Sequence, residues 1–187
     1  VAKQLKKENI IVEYIPVTEK GIVDLDAFKK MLRPTTVLVS VMYVNNEIGT
    51  VQPISEIAKI IRHAEKHERT QKPYPYFHTD ASQAFNYLTI DVQKLGADLI
   101  TFSSGKLYGP KGVGFLFKKR TVSVEPMLFG GGQEQGLRSS TENVPAITAA
   151  SYAVHDAQSL VSKELDRISR LKKILIDGLK KVESSIV

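Results

Sequence analysis

Lys106 is the residue whose side chain offers the most chemistry in this sequence. It lies in SSGKLYGPKG (residues 103–112), and Asp80 lies earlier, in HTDASQ (residues 78–83). Each segment follows an apolar run that predicts a buried strand. An amine can condense with an aldehyde, and a carboxylate can keep a basic ring nitrogen protonated so that the ring withdraws electrons. An amine and a carboxylate at adjacent strand ends therefore predict pyridoxal phosphate chemistry.

The composition excludes several other functions. The 187 residues include no cysteine, which excludes disulfides, thiolate-metal sites and a cysteine nucleophile within them. The net charge of +6 is spread out, and we interpret the lysine pairs at 172–173 and 180–181 as a solvated helix face. The longest apolar run, residues 37–44, is too short to cross a bilayer. We expect a cytoplasmic protein that binds neither nucleic acid nor membrane directly.

Strand-like and helix-like segments alternate along the chain. Helical spacing and capping residues predict helices at 1–8, at 25–32 after Asp24, from Pro53 to about His67, and from Val144 to the end with at most one break near 158–162. Apolar and β-branched runs predict strands at 10–15, at 36–42 with both faces buried, at 74–78 leading into Asp80, at 98–102, and at 113–117, the last antiparallel. The alternation predicts one α/β domain over residues 1–187, with three α/β/α layers and a mainly parallel mixed sheet.

Polar residues follow three of the predicted parallel strands. Asn46, Asp80 and the segment 103–106 each stand at a strand's carboxyl end, where open α/β sheets bind ligands. Alternation along a strand places His78 on the same side as Asp80, and Gln83 lies one helical turn further on. The small residues before Lys106 leave room for a phosphate or a planar ring near the backbone. A turn role for Asp80 and a solvated Lys106 remain the alternatives.

Other motifs in the sequence fail on spacing. Lys106 is followed by leucine rather than serine or threonine, so a nucleotide-binding P-loop is excluded. His63 and His67 stand four apart on a predicted helix, but they lack the zinc-protease glutamate and a third ligand. No G-x-S-x-G nucleophile elbow is present. Gly130 to Gly132 predict a flexible loop. A plain hinge and a functional role are equally good interpretations of these glycines.

Five ordered motifs resemble those of a known family. They are NNEIGxxQP (45–53), HxDASQ (78–83), SxxKxYGPKG (103–112), GGGQE (130–134) and RSxTEN (138–143). Together they are similar to the cysteine desulfurases of the NifS/IscS type, in the class V aminotransferase group of pyridoxal phosphate enzymes. The similarity covers essentially the whole chain. It implies the central part of the large domain of a fold-type I enzyme.

The resemblance assigns residues around the cofactor ring. Lys106 would form the internal aldimine, and Asp80 would pair with the pyridine nitrogen. Asn46 and Gln83 would lie near the ring hydroxyl, and His78 would line the cofactor pocket.

It also assigns residues to the phosphate. Ser103 would hold the phosphate, and Thr141 would reach the phosphate of a neighbouring subunit, because these enzymes are homodimers with shared sites. Arg138 lies in the same loop and would assist. Residue 105 is glycine where many relatives have a histidine, so one phosphate contact is in doubt.

The resemblance also implies segments that are not among these residues. The family has an upstream segment with a cofactor-stacking histidine and a phosphate-binding threonine. It also has a downstream small domain whose cysteine receives sulfur as a persulfide. We therefore expect the chain to be a piece of a longer protein and to be inactive alone.

The resemblance implies a cysteine desulfurase that converts L-cysteine to L-alanine and passes sulfur to an acceptor or scaffold protein, for iron-sulfur clusters or tRNA thiolation. Other class V enzymes, such as a selenocysteine lyase or a small-amino-acid aminotransferase, are the enzymatic alternatives. A non-catalytic module of a split protein is the third reading. The pairing of Asp80 with Lys106 disfavours it, since a scaffold needs neither.

Overall fold

The structure is a computed structural model that describes residues 1–68 and 75–182, with the backbone alone at 65–68. Its α-helices are α1 (Ala2–Lys7), α2 (Leu25–Met31), α3 (Ile54–Glu68), α4 (Val92–Leu95) and α5 (Val144–Leu179). Its strands are β1 (Leu38–Met42), β2 (Tyr76–Asp80), β3 (Leu99–Ser103) and β4 (Gly114–Lys118).

The strands form one mixed sheet in the order β1-β2-β3-β4. The pairs β1–β2 and β2–β3 are parallel, and β3–β4 is antiparallel. The α/β class, the mainly parallel sheet and the antiparallel β4 are thus confirmed. The predicted start of β2 at Tyr74 lies outside the described residues, as does the predicted helix end beyond residue 182.

One face of the sheet carries the core. Alternate residues of the strands, such as Val39, Phe77 and Ile100, are buried and cluster with Ile57 and Ile61 of α3. Burying such side chains contributes roughly 1.5–3 kcal/mol each. The α3 helix begins after Pro53, as predicted, and this packing fixes the carboxyl ends of β1, β2 and β3 along one edge.

The opposite face differs from the prediction for β1. The sequence predicts both faces of residues 36–42 to be buried, but Leu38, Ser40 and Met42 are exposed. Val39 and Val41 alone point into the core. An apolar run shows that side chains favour burial, and whether an element covers both faces depends on the tertiary arrangement.

Residues 10–15 do not form the predicted strand. They have no regular secondary structure and lie outside the sheet, and Ile11 and Tyr14 are exposed. β-branched residues stabilise a strand through cross-strand packing, and no neighbouring strand pairs with this segment in the described part of the chain. The nearby bridge between Val17 and Val23 is an isolated one.

The helix ends follow local capping chemistry. The Asp24 carboxylate accepts the backbone N–H groups of Asp26 and Ala27 at the start of α2. Asn143 accepts the N–H of Ala146 at the start of α5, which runs to Leu179 with no break. The short helix α4, capped by Asp91, was not predicted, because four residues carry little periodic signal.

Candidate functional site

Asp80 is the last residue of β2, at the carboxyl edge of the sheet. It pairs in register with Met42 of β1 and Thr101 of β3. Its carbonyl oxygen accepts the N–H of Tyr43 at 2.8 Å, and the next N–H, of Ala81, donates to Thr101 at 2.9 Å. Backbone bonds on both sides therefore fix where the Asp80 side chain leaves the sheet.

The Asp80 carboxylate has a turn role and remains accessible. Its Oδ1 accepts the N–H of Ser82 at 2.8 Å, which makes an Asx turn after the strand. The alternative raised from the sequence, a turn residue, is therefore present. A carboxylate has about four acceptor positions, and Asp80 is exposed, so this bond leaves capacity for a ligand.

Lys106 stands at the end of a short 3-10 turn, Ser104–Lys106, that directly follows β3. The N–H groups of Leu107 and Gly109 both donate to the Ser104 carbonyl, at 2.8 and 3.1 Å. Tyr108 has a φ of 59°, which is uncommon for a residue with a side chain. The turn is therefore tightly bent, and it leaves Lys106 exposed at the same sheet edge as Asp80.

His78 lies between the two neighbouring strands on the exposed sheet face. Its Nδ1 is 2.8 Å from the Ser40 hydroxyl and its Nε2 is 3.3 Å from the Thr101 hydroxyl. Burial lowers the pKa of His78 below its ordinary value, and the charge of Asp80 opposes this. The imidazole is therefore mostly neutral at pH 7, and each ring nitrogen has one hydroxyl within hydrogen-bond distance.

The loop after β1 presents Asn46. The Asn45 side chain accepts the N–H groups of Glu47 and Ile48, at 2.8 and 3.0 Å, and so shapes the loop. Asn46 itself is exposed. Buried Gln52 ties the end of this connection to the chain near Gly21 through two side-chain bonds of 2.8 and 2.7 Å.

Gln83 and Ser103 are both half-buried at the same edge. Ser103 ends β3, and Gln83 lies in the turns that follow Asp80. The structure thus brings Asn46, Asp80, Gln83 and the segment 103–106 to the carboxyl ends of adjacent strands, as the sequence pattern predicts. Their functions remain predictions.

Thr141 and Arg138 lie in a separate exposed loop. Its bonds join its own residues: Gly132 N–H to the Ser139 hydroxyl at 3.3 Å, and the Arg138 guanidinium to Ser140. No hydrogen bond of the described residues connects Thr141 to Asp80 or Lys106. Within one chain, the hydrogen bonds of this loop therefore do not tie Thr141 to the residues at the sheet edge.

Sequence reasoning missed Asn86. Its side-chain amide donates to the carbonyl oxygen of Lys106 at 2.6 Å. Twenty residues separate the two, and nothing in the local pattern marks the contact. The only available signal was a single amide side chain in the otherwise apolar and aromatic stretch 84–88 that follows HTDASQ.

The edge thus offers an amine, a carboxylate, two amides and a hydroxyl, a set suited to an organic ligand with a ring and a phosphate. Within residues 1–68 and 75–182, no three His, Cys, Asp or Glu side chains group as a metal site would require. The side chain of His67 is not among those described. Across the same ranges, every helix is too short or too polar to cross a bilayer.

Sequence comparisons identify relatives over nearly the whole chain. A family model described as aminotransferase class-V matches residues 1–185. A protein named cysteine desulfurase IscS 1 from Archaeoglobus fulgidus is 43% identical over 184 residues, which are 98% of this chain and 46% of that protein. A mitochondrial cysteine desulfurase from Saccharomyces cerevisiae is 43% identical over 97% of this chain and 35% of its own length. The chain therefore spans less than half the length of these relatives.

Solved structures share the fold. A NifS-like protein superimposes with a TM-score of 0.89 at 36% identity, over 96% of this chain and 47% of its own. A structure titled SspA in complex with cysteine gives a TM-score of 0.73 at 36% identity, over 82% of this chain and 42% of its own.

Proposed function

Because the chain belongs to the class V aminotransferase family, we propose that it forms the cofactor-lysine part of a pyridoxal phosphate-dependent cysteine desulfurase. Class V aminotransferases and cysteine desulfurases are pyridoxal phosphate enzymes. The observation that carries the proposal is the sheet register. Asp80 ends β2 opposite Thr101, and β3 leads from Thr101 through Ser103 into the Lys106 turn.

The side chains at this edge fit the cofactor by their chemistry. The exposed Asp80 carboxylate suits a protonated ring nitrogen, and the exposed Lys106 amine suits the aldehyde. The amides of Asn46 and Gln83 suit the ring hydroxyl. The Ser103 hydroxyl suits the phosphate. At Gly105, an added Cβ would lie 3.7 Å from Cγ of Lys111, which is an ordinary van der Waals contact.

When bound, pyridoxal phosphate supplies an electron-withdrawing ring that stabilises negative charge on the substrate. The chain's residues do the rest. Asp80 would hold the proton of the ring nitrogen, and the Lys106 amine would be the group that holds the aldehyde carbon and, when not bound to it, gives and takes the proton at the substrate carbon. Neutral His78 gives the pocket an uncharged wall, which avoids repelling the protonated ring.

Cysteine is the proposed substrate, and two relatives' names together with the cysteine-bound structure support it. The chain has no thiol, so the cysteine that takes sulfur from L-cysteine and leaves L-alanine would lie outside these 187 residues. The sulfur acceptor would be another protein, and the sulfur would be used in iron-sulfur cluster assembly. A homodimer, in which Arg138 and Thr141 reach the phosphate of the neighbouring subunit, and a cytoplasmic location complete the proposal.

Borohydride trapping tests the role of Lys106. The purified chain is incubated with pyridoxal phosphate, reduced and digested, and the modified lysine is identified by mass spectrometry. We expect label on Lys106 and its loss in Lys106→Ala. Lys172→Ala, which removes an exposed lysine of α5, should keep it. Equal total labelling in Lys106→Ala and the unsubstituted chain would contradict the proposal.

Sulfide release tests where the thiol lies. The chain is incubated with pyridoxal phosphate, L-cysteine and a reductant. We expect release no faster than from cofactor alone, because the chain has no cysteine. Release that is faster than from cofactor alone and persists in Lys106→Ala would show that the assigned mechanism is wrong.

A further inference from the structure

We propose that Asn86 is a positioning residue that sets the direction of Lys106, an inference that rests on the proposed function of Lys106. The Asn86 side chain does not need to touch the cofactor for this role. It donates from Nδ2 to the backbone carbonyl of Lys106 at 2.6 Å. Because the bond is to the backbone, it acts on the direction in which the lysine side chain leaves the chain.

The Lys106 carbonyl accepts its hydrogen bond from a distant part of the chain. The turn's own N–H groups, those of Leu107 and Gly109, both bond to Ser104. The turn then reverses at Tyr108, whose positive φ takes the chain away from a helix. The 3-10 turn therefore ends at Lys106, and the outside amide of Asn86 replaces the bond that a continued helix would supply.

Asn86 is itself held firmly from both sides. Gln158 of α5 donates to the carbonyls of Phe85 at 2.7 Å and Leu88 at 3.2 Å, and accepts the N–H of Ile90 at 3.1 Å. The ring of Phe85 packs edge-on against Phe102 of β3, with centroids 5.0 Å apart. The donor therefore belongs to a rigid segment anchored to both α5 and the sheet.

The same segment begins at Asp80. Ala81 and Ala84 are fully buried, and the N–H groups of Ala84 and Leu88 bond back within the segment at 2.9 and 2.8 Å. Asn86 thus lies at the far end of a packed turn whose first residue is the carboxylate. Its bond to Lys106 fixes the backbone of Lys106 relative to Asp80. The Lys106 amine and the Asp80 carboxylate are the two groups that must face opposite ends of one ring.

Amide hydrogen exchange tests the bond without any cofactor. Asn86→Ala removes the donor, and Asn86→Asp keeps the size but has no N–H to donate at neutral pH. Both should exchange faster than the unsubstituted chain at Leu107 to Gly109, by about three- to tenfold, the range for one hydrogen bond. Asp91→Ala serves as the control, because it removes the α4 cap and makes no contact with Lys106.

The kinetics of adduct formation separate positioning from stability. Absorbance changes on mixing with pyridoxal phosphate give a dissociation constant for initial binding and a first-order rate constant for covalent attachment to Lys106. Both Asn86 variants should lower the rate constant about three- to tenfold and leave initial binding within about twofold. Asp91→Ala should lower the thermal midpoint and leave the rate constant unchanged.

The outcomes separate this inference from the function on which it rests. If Lys106 is not labelled in the unsubstituted chain, the proposed function is wrong, and so is the positioning role. Labelling with an unchanged rate constant in Asn86→Ala and Asn86→Asp would overturn the positioning role alone, whatever the exchange shows. A lower rate constant in both Asn86 variants, together with an unchanged rate constant in Asp91→Ala, supports the positioning role.

Discussion

The Ser40 hydroxyl lies 2.8 Å from Nδ1 of His78, across the parallel pair β1–β2. Both residues belong to the exposed face of the sheet, and the Thr101 hydroxyl stands 3.3 Å from the other ring nitrogen. Two neighbouring strands therefore hold a neutral imidazole beside Asp80. The protonation of this ring should respond to that carboxylate.

His78 should titrate below its ordinary range. Burial lowers its pKa, and Asp80 raises it in part, so Asp80→Asn should lower it further. We expect this from NMR titration of the ring, whereas Asp26→Asn on α2 should leave the titration unchanged. Because the folded pKa is lowered, the unfolded chain binds the proton more tightly, and the free energy of unfolding should decrease as pH falls below about 6.5. A higher His78 pKa in Asp80→Asn would contradict the assignment.

Asp98 should be one of the most important polar residues for stability. It is 5% exposed and accepts the Phe77 N–H at 2.8 Å, the Lys119 amine at 2.9 Å and the Arg62 guanidinium. Asp98→Ala should lower the free energy of unfolding by about 2–4 kcal/mol, since it leaves the buried N–H of Phe77 unsatisfied and takes the carboxylate from two half-buried cations. Urea denaturation measures this. Asp26→Ala, which removes an exposed carboxylate, should cost at most about 0.5 kcal/mol.

The same carboxylate should make stability depend on acid. Burial alone would raise the pKa of Asp98, but its hydrogen bonds from Arg62, Phe77 and Lys119 outweigh this and lower it. The stabilisation is therefore full above the unfolded value of about 3.9 and is lost as pH falls through the lower folded pKa. Asp98→Ala should show a weaker decline in this acid range. An equally steep decline would mean that other groups cause it.

Gln158 should hold the connection between β2 and α4 against α5. Gln158→Ala removes three bonds to backbone groups of residues 85–90 and should cost about 1–3 kcal/mol. Hydrogen exchange should accelerate at Ile90, whose N–H loses its acceptor. Gln93→Ala, the same change at an exposed position of α4, should leave that amide protected. Unchanged exchange at Ile90 in Gln158→Ala would show that the helix contact is dispensable.

Gly109 and Gly178 should respond in opposite directions to the same substitution. A Cβ at Gly109 would clash with the Ser104 hydroxyl and lie 3.0 Å from the Cβ of Ala153. Gly109→Ala should therefore lower the free energy of unfolding by about 1–3 kcal/mol. Gly178 lies in α5 with no atom within 4 Å of an added Cβ, so Gly178→Ala should raise it by about 0.5–1 kcal/mol. Thermal unfolding of both variants checks the contrast, and equal shifts would refute it.

The sequence alone determined those features of this protein whose cause lies in neighbouring residues. The Asp24 cap and the helix after Pro53 follow from capping chemistry and residue periodicity, and the antiparallel β4 follows from the GPKG turn (109–112) before it. All of these signals act over a few neighbouring residues. The order of polar segments after apolar strands also predicted that Asp80 and Lys106 share one sheet edge. Parallel strands place their carboxyl ends together whatever the loops do.

Only the tertiary structure decided contacts between distant segments. Residues 10–15 have a strand-like composition but no partner strand in the described chain, and the exposed side of β1 depends on what packs there. The bond from Asn86 to Lys106 and those from Gln158 to the segment 85–90 join residues 20 to 73 positions apart. Such bonds form only when helix and sheet packing has already brought a donor to an acceptor, and no local pattern encodes that meeting.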